Sequence, residues 1–253
     1  MTASNDRYRA PALDKGLDIL ELLSEQPNGL TRGEIVKAMG RNPSEIYRML
    51  ERLVARHYVA RSPEGDRYSL SLKLFMLSQR HPPLHRLVAR AQPAMDAFAK
   101  AAEQSCHLGV YDRGNITIVA QVNSPGSWGL SIRLGSRVSL MDTGSGHVML
   151  AFQADHRRAE MLAEHEVLDG ESPVPATVLA ATIDGVREAG YWRGESQQAF
   201  GVTDISLPII ATGGSAIAVI TCPFIRRIDR HVGPDLEATH GLLERTAKAM
   251  SID

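Results

Sequence analysis

Cysteine is scarce in this chain: its 253 residues contain two, Cys106 and Cys222, far apart in the sequence and forming no metal-type pair. Neither a disulfide framework nor a zinc site is indicated, and both thiols read as small buried residues in a reducing cytosol. Long apolar runs are also missing, since none approaches the ~20 residues that a membrane-spanning helix needs. The polar start MTASNDRYR holds no apolar segment of the secretory-signal kind. These absences lead to the expectation of a soluble, cytoplasmic protein with no membrane partner. Net charge is small as well, at −1, and such a total by itself says nothing about a polyanionic partner. The chain has no internal repeat or low-complexity tract, and no motif asks for a cofactor or a metal.

What is present is more specific. The length allows two modest domains, each with its own core. Residues 1–80 carry 13 Lys and Arg against 10 Asp and Glu, whereas the remainder carries 15 against 19. The N-terminal part is therefore mildly basic. It opens with a polar tail over residues 1–11, in which Arg7 and Arg9 are placed to brush phosphates. A helix is expected over 12–24, with Leu13, Leu17, Leu20 and Leu23 as its apolar stripe.

The stretch from Leu30 to Leu70 organises the rest. Thr31 and Glu34 form a capping box for a helix whose apolar face is Ile35, Val36 and Met39, and Gly40 supplies a left-handed stop. Asn42 is a good N-cap, Pro43 suits the first helical position and Glu45 follows three residues after the cap, so a second helix begins at once. Ile46, Met49, Leu50, Leu53 and Val54 share one face of it. The other face carries Ser44, Tyr47, Arg48 and Arg52, with Arg41 just ahead. Two strands, 58–61 and 67–70, then flank Ser62-Pro63-Glu64-Gly65-Asp66, a turn composition. This is the order of parts in a winged helix-turn-helix, whose second helix enters the major groove. Arginine suits guanine edges or phosphates, and serine and tyrosine suit either. The candidate DNA-binding residues are Arg41, Ser44, Glu45, Tyr47, Arg48, Arg52, and Arg61 and Arg67 at the wing. A solvated basic face is the plainer reading of any one arginine. The capped helix pair, the basic face and the wing together favour DNA.

Past the wing comes an apolar cluster, Leu72, Leu74, Phe75, Met76 and Leu77, and then a break at His81-Pro82-Pro83. Residues 84–103 have helical composition interrupted by Pro93, which predicts two helices or one kinked rod. At Cys106 the period changes. Strands 106–111 and 116–122 surround Asp112-Arg113-Gly114-Asn115, a hairpin signature. A third strand is expected over 130–134. Residues 138–141 lead into Asp142-Thr143-Gly144-Ser145-Gly146 and a helix from His147, a turn suited to holding a carboxylate or simply a tight structural turn. Helices over 157–166 and 177–189, the second closed by Gly190, strands over 203–210 and 215–223, and a helix over 234–250 complete the chain. An antiparallel sheet flanked by helices, an α+β fold, is the economical arrangement.

With these residues in view, the chain resembles IclR-type bacterial transcriptional regulators over nearly its whole length. The resemblance rests on Ala12-Leu13-Asp14-Lys15-Gly16-Leu17-Asp18-Ile19-Leu20, on Ile46-Tyr47-Arg48-Met49-Leu50 with Leu53, and on Tyr68-Ser69-Leu70. In the body it rests on Gly135 through Gly144-Ser145-Gly146, on Ala189-Gly190-Tyr191, and on Gly201 leading into the strand from Ile205 to Ile209. It implies a winged-helix head (residues 1–80), a helical linker (81–104) and a GAF-like effector-binding body (105–253), assembled as a homodimer or a homotetramer of two dimers. It also implies an effector pocket with Gly144 and Ser145 at an anion-holding turn, Asp204 on one strand, Val219 and Thr221 on the next, and Leu130 and Leu140 as apolar wall. Two positions depart from the family pattern. Leu72 stands where a glycine is common, and Asp204 where some members have cysteine or another small residue; a buried carboxylate there would repel an acidic effector unless protonated or paired.

The expected activity is ligand-linked DNA binding, as repressor or activator of a small-molecule pathway of organic or aromatic acids, with operator DNA, an effector and further copies of the chain as partners. Two alternatives remain at this point. Cys222, His147 and Asp204 are residue types for a nucleophile, a base and an orienting acid, and a winged helix can also bind protein.

Overall fold

A computed structural model of the chain describes residues 10–80 and 82–252. The expected polar tail with Arg7 and Arg9, and His81 of the predicted break, lie outside these residues apart from Ala10 and Pro11. The chain divides into two compact units, Met1–His85 and Arg86–Asp253.

The first unit holds α1 (Pro11–Ser24), β1 (Leu30–Thr31), α2 (Arg32–Met39), α3 (Pro43–Ala55), β2 (Val59–Arg61), β3 (Arg67–Leu70) and α4 (Lys73–Gln79). Local chemistry sets the helix ends. Thr31 Oγ1 accepts from the Glu34 amide at 3.3 Å while the Glu34 carboxylate accepts from the Thr31 amide at 2.7 Å, and Gly40 closes α2 at φ 59°. Asn42 Oδ1 accepts from the Ser44 amide at 2.9 Å, with Pro43 at the first position of α3. Ile19, Leu23, Ile35, Ile46, Leu50, Val59 and Tyr68 form the core of this unit. The expected stripe of α1 is shifted: Leu13 and Leu17 are 60% and 47% exposed, and Ile19 with Leu23 does the packing. The wing has three strands rather than two, in the antiparallel order β1-β3-β2. Two-residue β1 is too short to show an alternating pattern; its pairing with Tyr68 and Arg67 makes it a strand.

The second unit takes up α5 (Pro82–Ala102) from Arg86 onward and continues through β4 (Cys106–Asp112), β5 (Asn115–Val122), β6 (Arg137–Val138), α6 (Gly144–Ala151), α7 (Asp155–Ala163), α8 (Ala176–Ala189), β7 (Trp192–Glu195), β8 (Val202–Ile210), β9 (Ala216–Ile225) and α9 (Leu236–Met250). Helix α5 runs on through Pro93 as one element. Arg113 and Gly114, at φ 44° and 80°, make the β4–β5 turn, both in the left-handed region that primed hairpin turns require. The six strands form one antiparallel sheet in the order β6-β5-β4-β9-β8-β7.

Strand alternation gives this sheet two unlike faces. Ile205, Leu207, Ile209, Ile220 and Cys222 pack with Met95 and Phe98 of α5 and Leu243 and Ala247 of α9. Val219 and Ile118 pack instead with Val148 and Leu150 of α6 and Leu179 and Ile183 of α8. Two expectations fail here. Residues 130–134 are not a strand, and the edge pairing with β5 falls to Arg137 and Val138. At the opposite edge β7, not anticipated, pairs Trp192 with Ser206. The cysteines, distant in sequence, become neighbours: His107 pairs with Thr221, and one step along the same antiparallel register Cys106 meets Cys222 on the face covered by α5 and α9.

Candidate functional site

Helix α3 is anchored by Ile46 and Leu50, both fully buried, and its opposite side is open. Ser44, Tyr47, Arg48 and Arg52 are exposed there, as is Arg41 in the turn ahead of it. Three other predicted residues are already engaged. Lys15 of α1 bonds the Glu45 carboxylate at 2.7 Å, and that bond holds the carboxyl below its ordinary range. Glu45 therefore ties α3 to α1. Arg67 donates to the Gly29 carbonyl at 2.9 Å and lies 3.6 Å from the Glu34 carboxylate, so it fastens β3 to the loop before β1. Arg61 stays exposed at the wing, with Nε on the Gly65 carbonyl at 2.6 Å and its guanidinium 5.7 Å over the Tyr68 ring. Arg32, overlooked in the sequence, lies 5.1 Å over the Tyr47 ring and adds a cation to the open side of α3. Only the packing of α2 on α3 brings those two together.

In the second unit, a cavity of about 220 Å³ opens between the first turn of α6 and the strands β4, β8 and β9. Of the residues named from the resemblance, Leu130, Gly144, Ser145, Asp204 and Thr221 line it. Leu140 and Val219 do not; both are wholly buried in the core beneath α6. Val219 shares a sheet face with Thr221, but the helix covers it two residues farther along the strand.

The floor of the cavity is a chain of buried hydroxyls. Thr221 Oγ1 lies 2.8 Å from Ser145 Oγ and 2.7 Å from Ser206 Oγ, linking α6 to β9 and β8. A Cβ on Gly144 would stand 2.3 Å from the Trp192 ring and 2.9 Å from Ser206 Oγ, so this glycine lets α6 start flush against the sheet. Thr143 caps the helix by accepting from the Gly146 amide at 3.1 Å. His107, beside Thr221, is 3% exposed; burial lowers its pKa to about 4, so it is neutral near pH 7 and its Nδ1 has no partner among the described residues. Asp142 accepts from the Ser172 amide at 2.8 Å through Oδ2, and its buried Oδ1 has no such partner. Burial raises the pKa of Asp204, against a hydrogen bond from Ser196. The signal for His107 was available: a polar residue in an otherwise apolar strand. Asp142 stood out only as the start of the turn before α6, and Ser206, with Gln197 and Gln198 of the cavity wall, gave no signal.

A larger hollow of about 550 Å³ borders Trp128, Phe224, His231 and Leu236, but none of the anticipated site residues lines it. The smaller cavity is lined by the first turn of α6 and by His107 and Asp142, two of the residues that carry a buried polar atom without a partner among the described residues. The trio Cys222, His147 and Asp204 does not assemble. Cys222 belongs to the apolar core on the other sheet face, where burial pushes its thiol well up, and His147 Nε2 lies 2.8 Å from the Met141 carbonyl. Among the described residues no group of His, Cys, Asp or Glu is arranged to hold a metal, and no helix is long and apolar enough to cross a membrane.

Residues 84–252 match the family model for the C-terminal region of bacterial transcriptional regulators of the IclR type, and residues 12–63 match the IclR helix-turn-helix domain. The chain belongs to the IclR family. As an IclR-family protein it is a ligand-responsive, DNA-binding transcriptional regulator and not an enzyme. It is 28% identical over 213 residues to the HTH-type transcriptional regulator KdgR of Escherichia coli (strain K12), covering 83% of this chain and 80% of that protein. In fold it is similar to an IclR homolog from Microbacterium hydrocarbonoxydans crystallised with 4-hydroxybenzoate, at TM-score 0.75 and 20% identity over 95% and 97% of the two chains. It is likewise similar to the Thermotoga maritima IclR, at TM-score 0.74 and 21% identity over 94% and 96%.

Proposed function

We propose that this IclR-family regulator reads operator DNA with the outer side of α3 and answers to a small organic acid bound in the cavity at α6. The reading takes residues 1–80 as the DNA-binding head, 81–104 as the linker and 105–253 as the effector body. The observation that carries it is the exposed row Ser44, Tyr47, Arg48 and Arg52 opposite a fully buried anchor. Arg48 and Arg52, with Arg41, Arg32 and Arg61 extending the row, are its phosphate ligands, which give affinity and register, while Ser44 and Tyr47 near the start of α3 face base edges. Such a protein acts where its operator is, in the cytoplasm.

Homo-oligomeric assembly is part of this reading. Helix α4 and its N-cap leave Leu72, Phe75 and Met76 75%, 61% and 49% exposed, an apolar surface that a second copy would cover. Two heads would then read half-sites at a spacing fixed by the dimer. An effector shifts operator occupancy only as far as it binds one arrangement of the heads better than the other; coupling of ~1–3 kcal/mol gives about 5- to 150-fold. The first-turn amides of α6 and Ser145 are the proposed seat for a carboxylate.

The test is a titration of DNA from upstream of its own gene, at fixed salt, with wild type and with Arg48→Ala and Arg52→Ala. Each substitution should weaken binding and flatten the salt dependence, by about 0.9 in log–log slope for each phosphate contact removed. Wild-type affinity and slope in both variants would refute the assignment of α3.

A further inference from the structure

The cavity at α6 is polar without being cationic. Among the described residues no lysine, arginine, phenylalanine, tyrosine or tryptophan lines it, and two aspartates, Asp142 and Asp204, do. For an aromatic effector the His107 imidazole is the one ring among the described lining residues, and no larger aromatic face is offered for stacking. An anionic group finds no side-chain cation, so the first turn of α6 is the sole compensation for its charge, enough for one carboxylate. A second carboxylate would be desolvated beside Asp142 or Asp204, an arrangement that like charges oppose.

Several groups in the same walls ask for hydrogen-bonding atoms on the ligand. His107 and Asp142, 3% and 5% exposed, line the cavity, and Ser131, Ser196 and Asp204 add further polar side chains to its walls. A hydroxyl group both donates and accepts, so it satisfies a carboxylate oxygen and satisfies imidazole nitrogen in either tautomer. Gln197 and Gln198, which also line the cavity, add amides of the same dual character. The volume of about 220 Å³ lies below the ~300–1,000 Å³ of sites for drug-sized molecules, so the occupant is compact.

We propose that the effector is a polyhydroxylated, non-aromatic small molecule with at most one carboxylate, a sugar acid or a free polyol, read by His107 and Asp204 with Gln197 and Gln198. The proposal rests on the reading above that the cavity at α6 is the effector site and adds the chemical class; its polyol arm keeps that site and leaves the carboxylate seat unused.

The experiment is calorimetric titration of the full chain with five probes: gluconate, sorbitol, hexanoate, glucarate and 4-hydroxybenzoate. Wild type and Asp204→Leu are compared, and Ser131→Trp, at an exposed position on the cavity wall, serves to fill the site. Gluconate or sorbitol should bind at least about tenfold more tightly than hexanoate, glucarate and 4-hydroxybenzoate should be rejected, and Asp204→Leu should erase the preference over hexanoate. Gluconate above sorbitol identifies the sugar acid, and the reverse identifies the free polyol. Tighter binding of hexanoate, glucarate or 4-hydroxybenzoate, or no binding of gluconate and sorbitol at millimolar concentration, overturns the proposal. If one of those three binds and Ser131→Trp abolishes it, the cavity is still the effector site and only the chemical class has failed. If gluconate binds and Ser131→Trp leaves it unchanged, the cavity itself is wrong.

Discussion

Replacing Thr221 with valine tests the structural basis of the cavity. The two side chains are nearly the same shape, so the change removes one oxygen and little volume. That oxygen joins Ser145 at 2.8 Å to Ser206 at 2.7 Å, and the three residues are 3%, 4% and 0% exposed. The loss therefore includes two hydrogen bonds of about 0.5–1.5 kcal/mol each and leaves two serine hydroxyls without this partner, buried polar groups being worth ~1–3 kcal/mol when unpaired. Rotation of either serine toward another acceptor recovers part of this, so the expected destabilisation is about 2–4 kcal/mol. For a unit of this size that is roughly 4–16 °C in Tm. Because removing both partners of a bond costs less than removing one, Ser206→Ala with Thr221→Val should be less damaging than the sum of the single changes. Urea denaturation of the four proteins gives this cycle directly. Additive losses, or a Thr221→Val protein as stable as wild type, would show that the hydroxyl chain does not hold α6 to the sheet.

Other predictions concern separate features. Burial lowers the His107 pKa from 6.5 to about 4; the unfolded chain therefore takes up a proton that the folded chain refuses as pH falls from 6.5 to 4. Stability from this site is complete above pH 6.5, declines through that window by about 3 kcal/mol and falls no further below it, so His107→Gln should flatten the decline in denaturation measured from pH 7 to 4. Gly144→Ala places a Cβ 2.3 Å from Trp192, and it should lower Tm by several degrees whether or not ligand is present. Arg67→Ala should destabilise the head by about 1 kcal/mol through loss of the bond to Gly29, while leaving the salt slope of DNA binding unchanged, the opposite of Arg48→Ala. Phe75→Glu should convert the oligomer to a smaller species in light scattering; an unaltered mass would remove α4 from the proposed interface.

Short-range chemistry explains which parts of the fold the sequence announced. The capping box of Thr31 and Glu34, the Asn42-Pro43 start of α3, the Gly40 and Gly190 stops and the Arg113-Gly114 turn all act within four residues of backbone. Each is readable without knowing what packs on it. Strands β1 and β7 escaped notice because they have two and four residues and exist through pairing with β3 and β8. Residues 130–134 alternate like a strand, yet no partner takes them up, and Leu130, Ser131 and Ile132 line the cavity instead. The same limit separated the arginines: composition gives Arg48, Arg52 and Arg67 equal standing, and only the position of Gly29 beside β3 withdraws Arg67.

The order of the longer helices and strands, and with it the kinship to IclR regulators, is thus written in the chain, because propensity, caps and apolar period are properties of neighbouring residues. Which side chains share an enclosed space was decided by tertiary structure. His107, Ser145, Ser206 and Thr221 come from four separate elements, and they meet because the register of β4, β9 and β8 and the seating of α6 bring them to one face. Val219, two residues from Thr221 on that face, is sealed under the helix for the same reason.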